Sequence, residues 1–168
     1  RRCRGHVRRL TRDLPTFDSV WIDALVHRRC LTSFQARLLE SHDPERLRLG
    51  PFVLVDRLGS GSLSETFLAK APGEQRVVVK RVPLSDELAE PALKAVAELV
   101  EVSARADGGG SAAVVIPRAC RTIDGALVVV SSPVDGLSLA ELLVRRGRFP
   151  HDVVREIGCQ LLAGLAYL

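Results

Sequence analysis

The spacing of apolar residues changes several times along this chain, and each change marks an expected element. Within residues 13–49, Trp21 and Leu25, flanked by Ile22 and Val26, recur at helical spacing. Thr32 and Gln35 stand at capping-box spacing and open a second short helix with Phe34, Leu38 and Leu39 apolar. Ser41-His42-Asp43-Pro44 breaks it, and Leu49-Gly50-Pro51 marks a boundary. Strand-like sequence follows. Phe52-Val53-Leu54-Val55 leads into the glycine-rich turn Leu58-Gly59-Ser60-Gly61-Ser62-Leu63-Ser64, and Thr66-Phe67-Leu68-Ala69 returns from it. After the turn Ala71-Pro72-Gly73, Val77-Val78-Val79 is apolar throughout, as a central strand requires.

A long helix comes next, with Pro91 expected in its first turn, where a missing N–H costs nothing. It runs to about Ala106, and Asp107-Gly108-Gly109-Gly110-Ser111 ends it. On a helical projection Leu93, Val96, Ala97 and Val100 share one side, while Ala95, Leu99, Val102 and Ala106 cover most of the other. The narrow stripe between them holds Glu90, Lys94, Glu98, Glu101 and Arg105. A helix apolar on two sides is expected to be covered on both, with its polar stripe facing a cleft. Local pairing of Lys94 with Glu98 and of Glu101 with Arg105 competes with that reading. Lys94 before Glu98 is the weaker orientation, which leaves Glu98 the freer carboxylate. Residues 119–123 and 126–130 flank Asp124-Gly125, a hairpin signal. Residues 138–145 form a short helix, and Pro150 opens a last one with Val154, Ile157, Leu161, Leu165 and Leu168 on one face. The expected fold is α+β: a short helical segment, three strands, a helix, two strands, then helices.

Composition narrows the picture. At 168 residues, 46% hydrophobic and 26% charged, the chain suits a globular core. It contains no run of 18 apolar residues and no secretory signal pattern, so a cytoplasmic protein without a membrane segment is expected. It opens at Arg1, has no methionine, and stops inside a helical pattern, as a piece of a longer protein does. Six of its 24 basic residues lie in positions 1–12, and the remaining 18 are outnumbered by 20 acidic ones. The basic character therefore belongs to a short arm, expected to be disordered. Such an arm could bind nucleic acid, but no aromatic residue interleaves its arginines, and a solvated linker is the simpler expectation. Cys3, Cys30, Cys120 and Cys159 are too far apart for a zinc knuckle or a disulfide framework, and reduced thiols are expected. His6, His27, His42 and His151 are scattered as well, so no metal site is expected from them.

Three stretches carry candidate chemistry. A glycine turn between strands lets backbone N–H groups approach phosphate oxygens, and Gly59 and Gly61 fit that use. A glycine in a hairpin more often serves only the turn. Lys80 ends a strand of three valines in a chain whose other lysines are Lys70 and Lys94. An ammonium on a flexible stem suits a point contact to phosphate, although such a lysine can equally extend to water. The helix stripe then offers a carboxylate for that lysine.

Taken together, residues 52–168, which are 117 of the 168, resemble the amino-terminal part of a eukaryotic-type (Hanks-type) bacterial serine/threonine protein kinase. Leu58-Gly59-Ser60-Gly61 resembles the phosphate-covering loop, and Val77-Val78-Val79-Lys80 the V-A-I-K strand. Val134-Asp135-Gly136-Leu137-Ser138-Leu139 resembles the segment after the hinge, and the helix ending Gly164-Leu165-Ala166-Tyr167-Leu168 the one before the catalytic loop. Leu31-Thr32-Ser33-Phe34-Gln35-Ala36-Arg37 is similar to segments that precede the kinase domain in some bacterial members. The resemblance implies a five-stranded antiparallel sheet plus one helix over residues 50–134, a helical appendage over 13–49, and the start of a second lobe over 135–168. It implies ATP as the bound nucleotide, with Lys80 on the phosphates and Glu98 holding Lys80, or Glu101 as second choice. Leu58, Gly59, Ser60, Gly61 and Ser64 would form the loop. Thr66 and Val78 would join Leu58 above the adenine, with Ser131 as gatekeeper, Ser132 and Val134 as hinge contacts, and Ser138 just beyond.

Some positions depart from the family pattern. Ser64 replaces the third glycine of the loop, Val78 replaces an alanine, and Gly110-Ser111-Ala112-Ala113-Val114-Val115 stands where H-P-N-I-V is usual. The H-R-D and D-F-G motifs do not occur, so Mg²⁺ ligands are expected beyond Leu168, and this chain alone is expected not to transfer phosphate. A pseudokinase scaffold or allosteric nucleotide-binding module is the alternative. The protein substrate is not legible.

Overall fold

The register of one sheet decides which side chains share a face. The computed structural model describes residues 18–61, 63–73, 75–105 and 114–167; the arm at 1–12, Cys3, His6, Ala106, the glycine run at 107–111 and Leu168 lie outside the described residues. Two helices come first, α1 (Asp18–His27) and α2 (Ser33–Glu40), then a 3₁₀ turn (Pro44–Leu47). The strands are β1 (Arg48–Leu49), β2 (Phe52–Ser60), β3 (Glu65–Lys70), β4 (Arg76–Pro83), β5 (Ala119–Ile123) and β6 (Ala126–Ser131). Helix α3 (Asp86–Arg105) lies between β4 and β5, and α4 (Leu139–Arg146) and α5 (His151–Tyr167) follow β6. The strands form one antiparallel sheet in the order β1-β2-β3-β4-β6-β5.

Alternation along β4 separates the two faces. Val77 and Val79 are buried, Val78 is half-buried and Lys80 is exposed. Leu54, Phe67, Ala69, Val77, Val79, Val128 and Val130 form the core on one face, joined by Leu49 and Phe52. Val79 and Val128 are fully buried, each worth roughly 1.5–3 kcal/mol relative to exposure. Helix α2 closes this face by laying Phe34 against Phe67, with ring centroids 6.0 Å apart. Helix α3 packs on β5 and β6, and the Cys120 thiol donates to the Leu93 carbonyl at 3.8 Å, which sets α3 on the opposite face.

The expected strands and the α2 capping box are present, but β2 runs on to Ser60 and β4 to Pro83, so Leu58 to Ser60 and Lys80 lie inside strands and not beyond or at their ends; three further differences stand out. A sixth strand, β1, pairs Arg48 with Val53 and Leu49 with Phe52, so Leu49-Gly50-Pro51 lies in a hairpin inside the sheet. Pro91 is the sixth residue of α3 and not in its first turn, because the helix starts at Asp86; the sequence reading missed that earlier start. The ring there removes one backbone hydrogen bond. Finally, Leu93, Val96, Ala97 and Val100 are half-buried as expected, but Ala95 and Leu99 are exposed. Among the described residues nothing packs on that second apolar side.

Two turns rest on left-handed backbone. Asp124 and Gly125, at φ +49° and +68°, form the hairpin turn that their sequence predicts. Gly50 has φ +54°, and a Cβ there would lie 2.9 Å from Ile123 Cδ1. At the start of α4, Ser138 accepts from the Glu141 N–H at 3.2 Å, while the Ser138 N–H and hydroxyl both donate to the Glu141 carboxylate at 2.8 Å. These two donors, backbone first, and then the charge of Arg145, hold the Glu141 carboxyl below its ordinary value.

Gly50→Ala is expected to destabilise the chain by about 1–2 kcal/mol from backbone strain alone, and more if Ile123 does not yield. An unchanged urea midpoint would contradict it. The Glu141 cap has a definite pH sign. A depressed folded value means that its contribution is complete above the unfolded carboxyl value and is lost as pH falls through the folded one. The Ser138 amide should therefore lose exchange protection as pH falls through the depressed folded value, below the ordinary carboxyl range. Glu141→Gln, which cannot ionise, should flatten that dependence.

Candidate functional site

Paired residues in an antiparallel sheet share a face, and the register strings five of them into one row. Gly59 pairs with Thr66, Thr66 with Lys80, Lys80 with Val129, and Val129 with Cys120. The row begins at the glycine ribbon and ends where the Cys120 thiol meets α3. Lys80 thus rises from the face that carries α3, with the ribbon at the other end of its row. A parallel row two residues along brings Leu68, Val78 and Ser131 onto the same face. Of the residues singled out from sequence, the fold gathers Gly59, Thr66, Val78, Lys80 and Ser131 there.

The ribbon is shaped by β2. The pairing register skips Val55 and then Leu58, so two bulges lie within four residues and turn the strand. Leu58, Gly59, Ser60 and Gly61 are exposed, and Ser64 is half-buried. The Gly61 N–H donates to the Ser64 carbonyl at 2.9 Å and closes the tip. A Cβ at Gly59 would meet nothing within 4 Å, so this part of the ribbon stands clear of the rest of the chain. Ser132 is half-buried and Val134 exposed in the irregular segment after β6, while Ser138 is engaged as the α4 cap.

Glu98 is exposed on α3. No ion pair joins it to Lys80 in this structure, and Lys80 has no ion-pair partner among the described residues. Glu101 is engaged in an interaction of its own, which leaves Glu98 the freer carboxylate of the two. An unpaired ammonium, open backbone at Gly59 and a half-buried valine on one face are chemically suited to phosphate oxygens beside an apolar ring. The described residues include no cluster of His, Cys, Asp or Glu arranged to hold a metal.

The opposite face holds different chemistry. Glu65 accepts from Arg57 at 2.8 Å and lies 3.8 Å from Arg81, tying three strands together at the root of the ribbon. Beside it is a cavity of about 420 Å³, lined by Arg46, Arg48, Arg81, Asp43, Glu65 and Asp124 among others. Its mixed charges offset one another, and it is separated by the sheet from Lys80. The sequence reading did not single out Arg57, Glu65 or Arg81. Strand alternation puts Glu65 on the face of Phe67 and Arg81 on that of Val79, but the bulge of β2 that brings Arg57 onto the same face, opposite Phe67, leaves no mark in the pattern.

No family model matches the chain. Individual proteins do. Over 128 residues it is 32% identical to PkwA of Thermomonospora curvata, a probable serine/threonine-protein kinase. Over 129 residues it is 36% identical to the serine/threonine-protein kinase AfsK of Streptomyces griseus and to AfsK of Streptomyces coelicolor. Each match takes in 76% of this chain but 17% of PkwA and 15% of each AfsK, so the chain spans about one sixth of the length of these relatives. Among solved structures, the kinase domain of PknI from Mycobacterium tuberculosis aligns with a TM-score of 0.48 at 20% identity, covering 71% of this chain and 48% of that one. With three named serine/threonine kinases matched along the same three-quarters of its length, the chain is similar to a segment of the Hanks-type serine/threonine protein kinases of bacteria.

Proposed function

We propose that this chain forms the ATP-binding portion of a serine/threonine protein kinase. The observation that carries the reading is the row from Gly59 through Thr66 to Lys80, on the face where α3 docks. Backbone N–H groups of the ribbon cover the phosphates, and Lys80 orients them through its ammonium. Glu98 closes on Lys80 and fixes its direction. Leu58, Thr66 and Val78 pack on the adenine, and the backbone of Ser132 and Val134 pairs with its edge. Pro133 has no N–H, but it stands at the one hinge position that need not donate. Mg²⁺, when bound, would supply charge neutralisation on the phosphates and would be held by residues outside the described ones. Transfer to a protein hydroxyl is the activity of the whole protein, placed in the cytoplasm. Among the described residues no helix is long and apolar enough to cross a membrane.

Ser64 and Val78 favour a second reading, a pseudokinase that binds nucleotide without turning it over. Ser64 puts a side chain where the loop meets phosphate, and Val78 adds two methyl groups beside the adenine. Incubation of the full-length protein with labelled ATP separates the two, because only the kinase transfers label to protein.

Lys80→Ala should weaken ATP binding by the full-length protein about tenfold to a hundredfold, the worth of one charge-assisted hydrogen bond. Glu98→Gln should weaken it less, because it removes only the group that steadies the lysine. Equal affinities for the wild type and Lys80→Ala in a calorimetric titration would remove the lysine from the site.

A further inference from the structure

We propose that Thr32 and Gln35, on the helix preceding the sheet, are positioning residues for the glycine ribbon. The inference rests on the reading of that ribbon as a nucleotide cover. It starts from an economy in the α2 cap. In a capping box, the two side chains satisfy each other's backbone N–H groups. Here the Gln35 N–H donates to Thr32 Oγ1 at 3.2 Å, and the Thr32 N–H donates to Gln35 Oε1 at 3.1 Å. Each side chain retains a donor group, and each of these groups donates to β2. Thr32 Oγ1 donates to the Val55 carbonyl at 2.5 Å, and Gln35 Nε2 donates to the Leu54 carbonyl at 2.8 Å.

The two carbonyls are not arbitrary points on the strand. Val55 is the residue that the β2–β3 register skips at the first bulge, and Leu54 is the last paired residue before it. Helix α2 therefore holds the strand where it bends. The second bulge, at Leu58, begins the ribbon three residues later. Between the two, Arg57 reaches across to Glu65 and closes the base of the ribbon on the core face. Beyond that pair, residues 58–61 are exposed, and no Cβ at Gly59 would find a neighbour. Among the described residues, the ribbon is thus aimed from its root: by the Arg57 and Glu65 pair, and upstream by the two donors of α2. Phe34 fixes the same helix to Phe67 on β3, so α2 grips both arms that carry the ribbon.

The test separates docking from helix capping. Gln35→Glu keeps an acceptor for the Thr32 N–H, so the cap survives. It replaces the donor to Leu54 with a carboxylate that faces a carbonyl. Thr32→Ser keeps both functions and serves as the conservative control. Thermal unfolding and residue-resolved hydrogen exchange are read on the chain itself, and ATP affinity on the full-length protein. Gln35→Glu is expected to speed exchange at residues 57–61 and 64–66 about fivefold, the worth of one neutral hydrogen bond. It should also weaken ATP binding by a similar factor, while exchange in β4 and β6 stays at the wild-type rate. Thr32→Ser should match the wild type in both readouts. Ribbon exchange unchanged in Gln35→Glu overturns the proposal. So does an increase spread evenly over the sheet, because that is loss of general stability. If ribbon exchange responds as expected and the wild type itself binds no ATP, the nucleotide reading fails while the anchoring by α2 stands.

Discussion

A slip of one residue between β3 and β4 would send Lys80 to the far side of the sheet. The proposed nucleotide site requires the register that is present. The core prevents it. Val77 and Val79 are buried against Phe67, Ala69, Val128 and Val130, and a slipped strand would exchange them for Val78 and a lysine. Burying an unpaired ammonium among those residues is far more costly than any rearrangement of surface contacts. The position of Lys80, and with it of the proposed nucleotide site, is therefore enforced by apolar packing on the opposite face.

The two faces of the sheet consequently do separate jobs. One is closed by α2 and carries the core together with the network of Arg57, Glu65 and Arg81. The other receives α3 and presents Gly59, Thr66, Val78 and Lys80. Strand β2 joins them. Its first half is packed on the core, its second half is exposed, and the bulges at Val55 and Leu58 mark the change.

Much of this was legible in the sequence, for identifiable reasons. Three valines before Lys80 specify a central strand, although an unbroken apolar run does not say which face the lysine takes. The spacing of Thr32 and Gln35 specified a capped helix, and Asp124-Gly125 specified a hairpin; both follow from local chemistry that tertiary contacts do not overrule. What stayed hidden depends on neighbours distant in the chain. Strand β1 is two residues long, too short for any periodicity, and exists only because β2 offers it partners. The exposure of Leu99 contradicts its place on a second apolar side, since a helical projection shows which residues align but not what covers them. The second donors of Thr32 and Gln35 are invisible to a motif that is already complete within its own helix.

The short β1 strand has a further consequence. It covers β2 only at Phe52 and Val53, and α2 engages the next two carbonyls, so the first four residues of this nine-residue strand are met by two unlike elements in succession. An open flank of that length is a template on which foreign strands can grow. Removing everything before Gly50 would strip away both, β1 with its share of the sheet and α2 with its two donors. Without them the backbone groups of Phe52 to Val55 would stand open along that edge, so the elements before β2 also complete its hydrogen bonding.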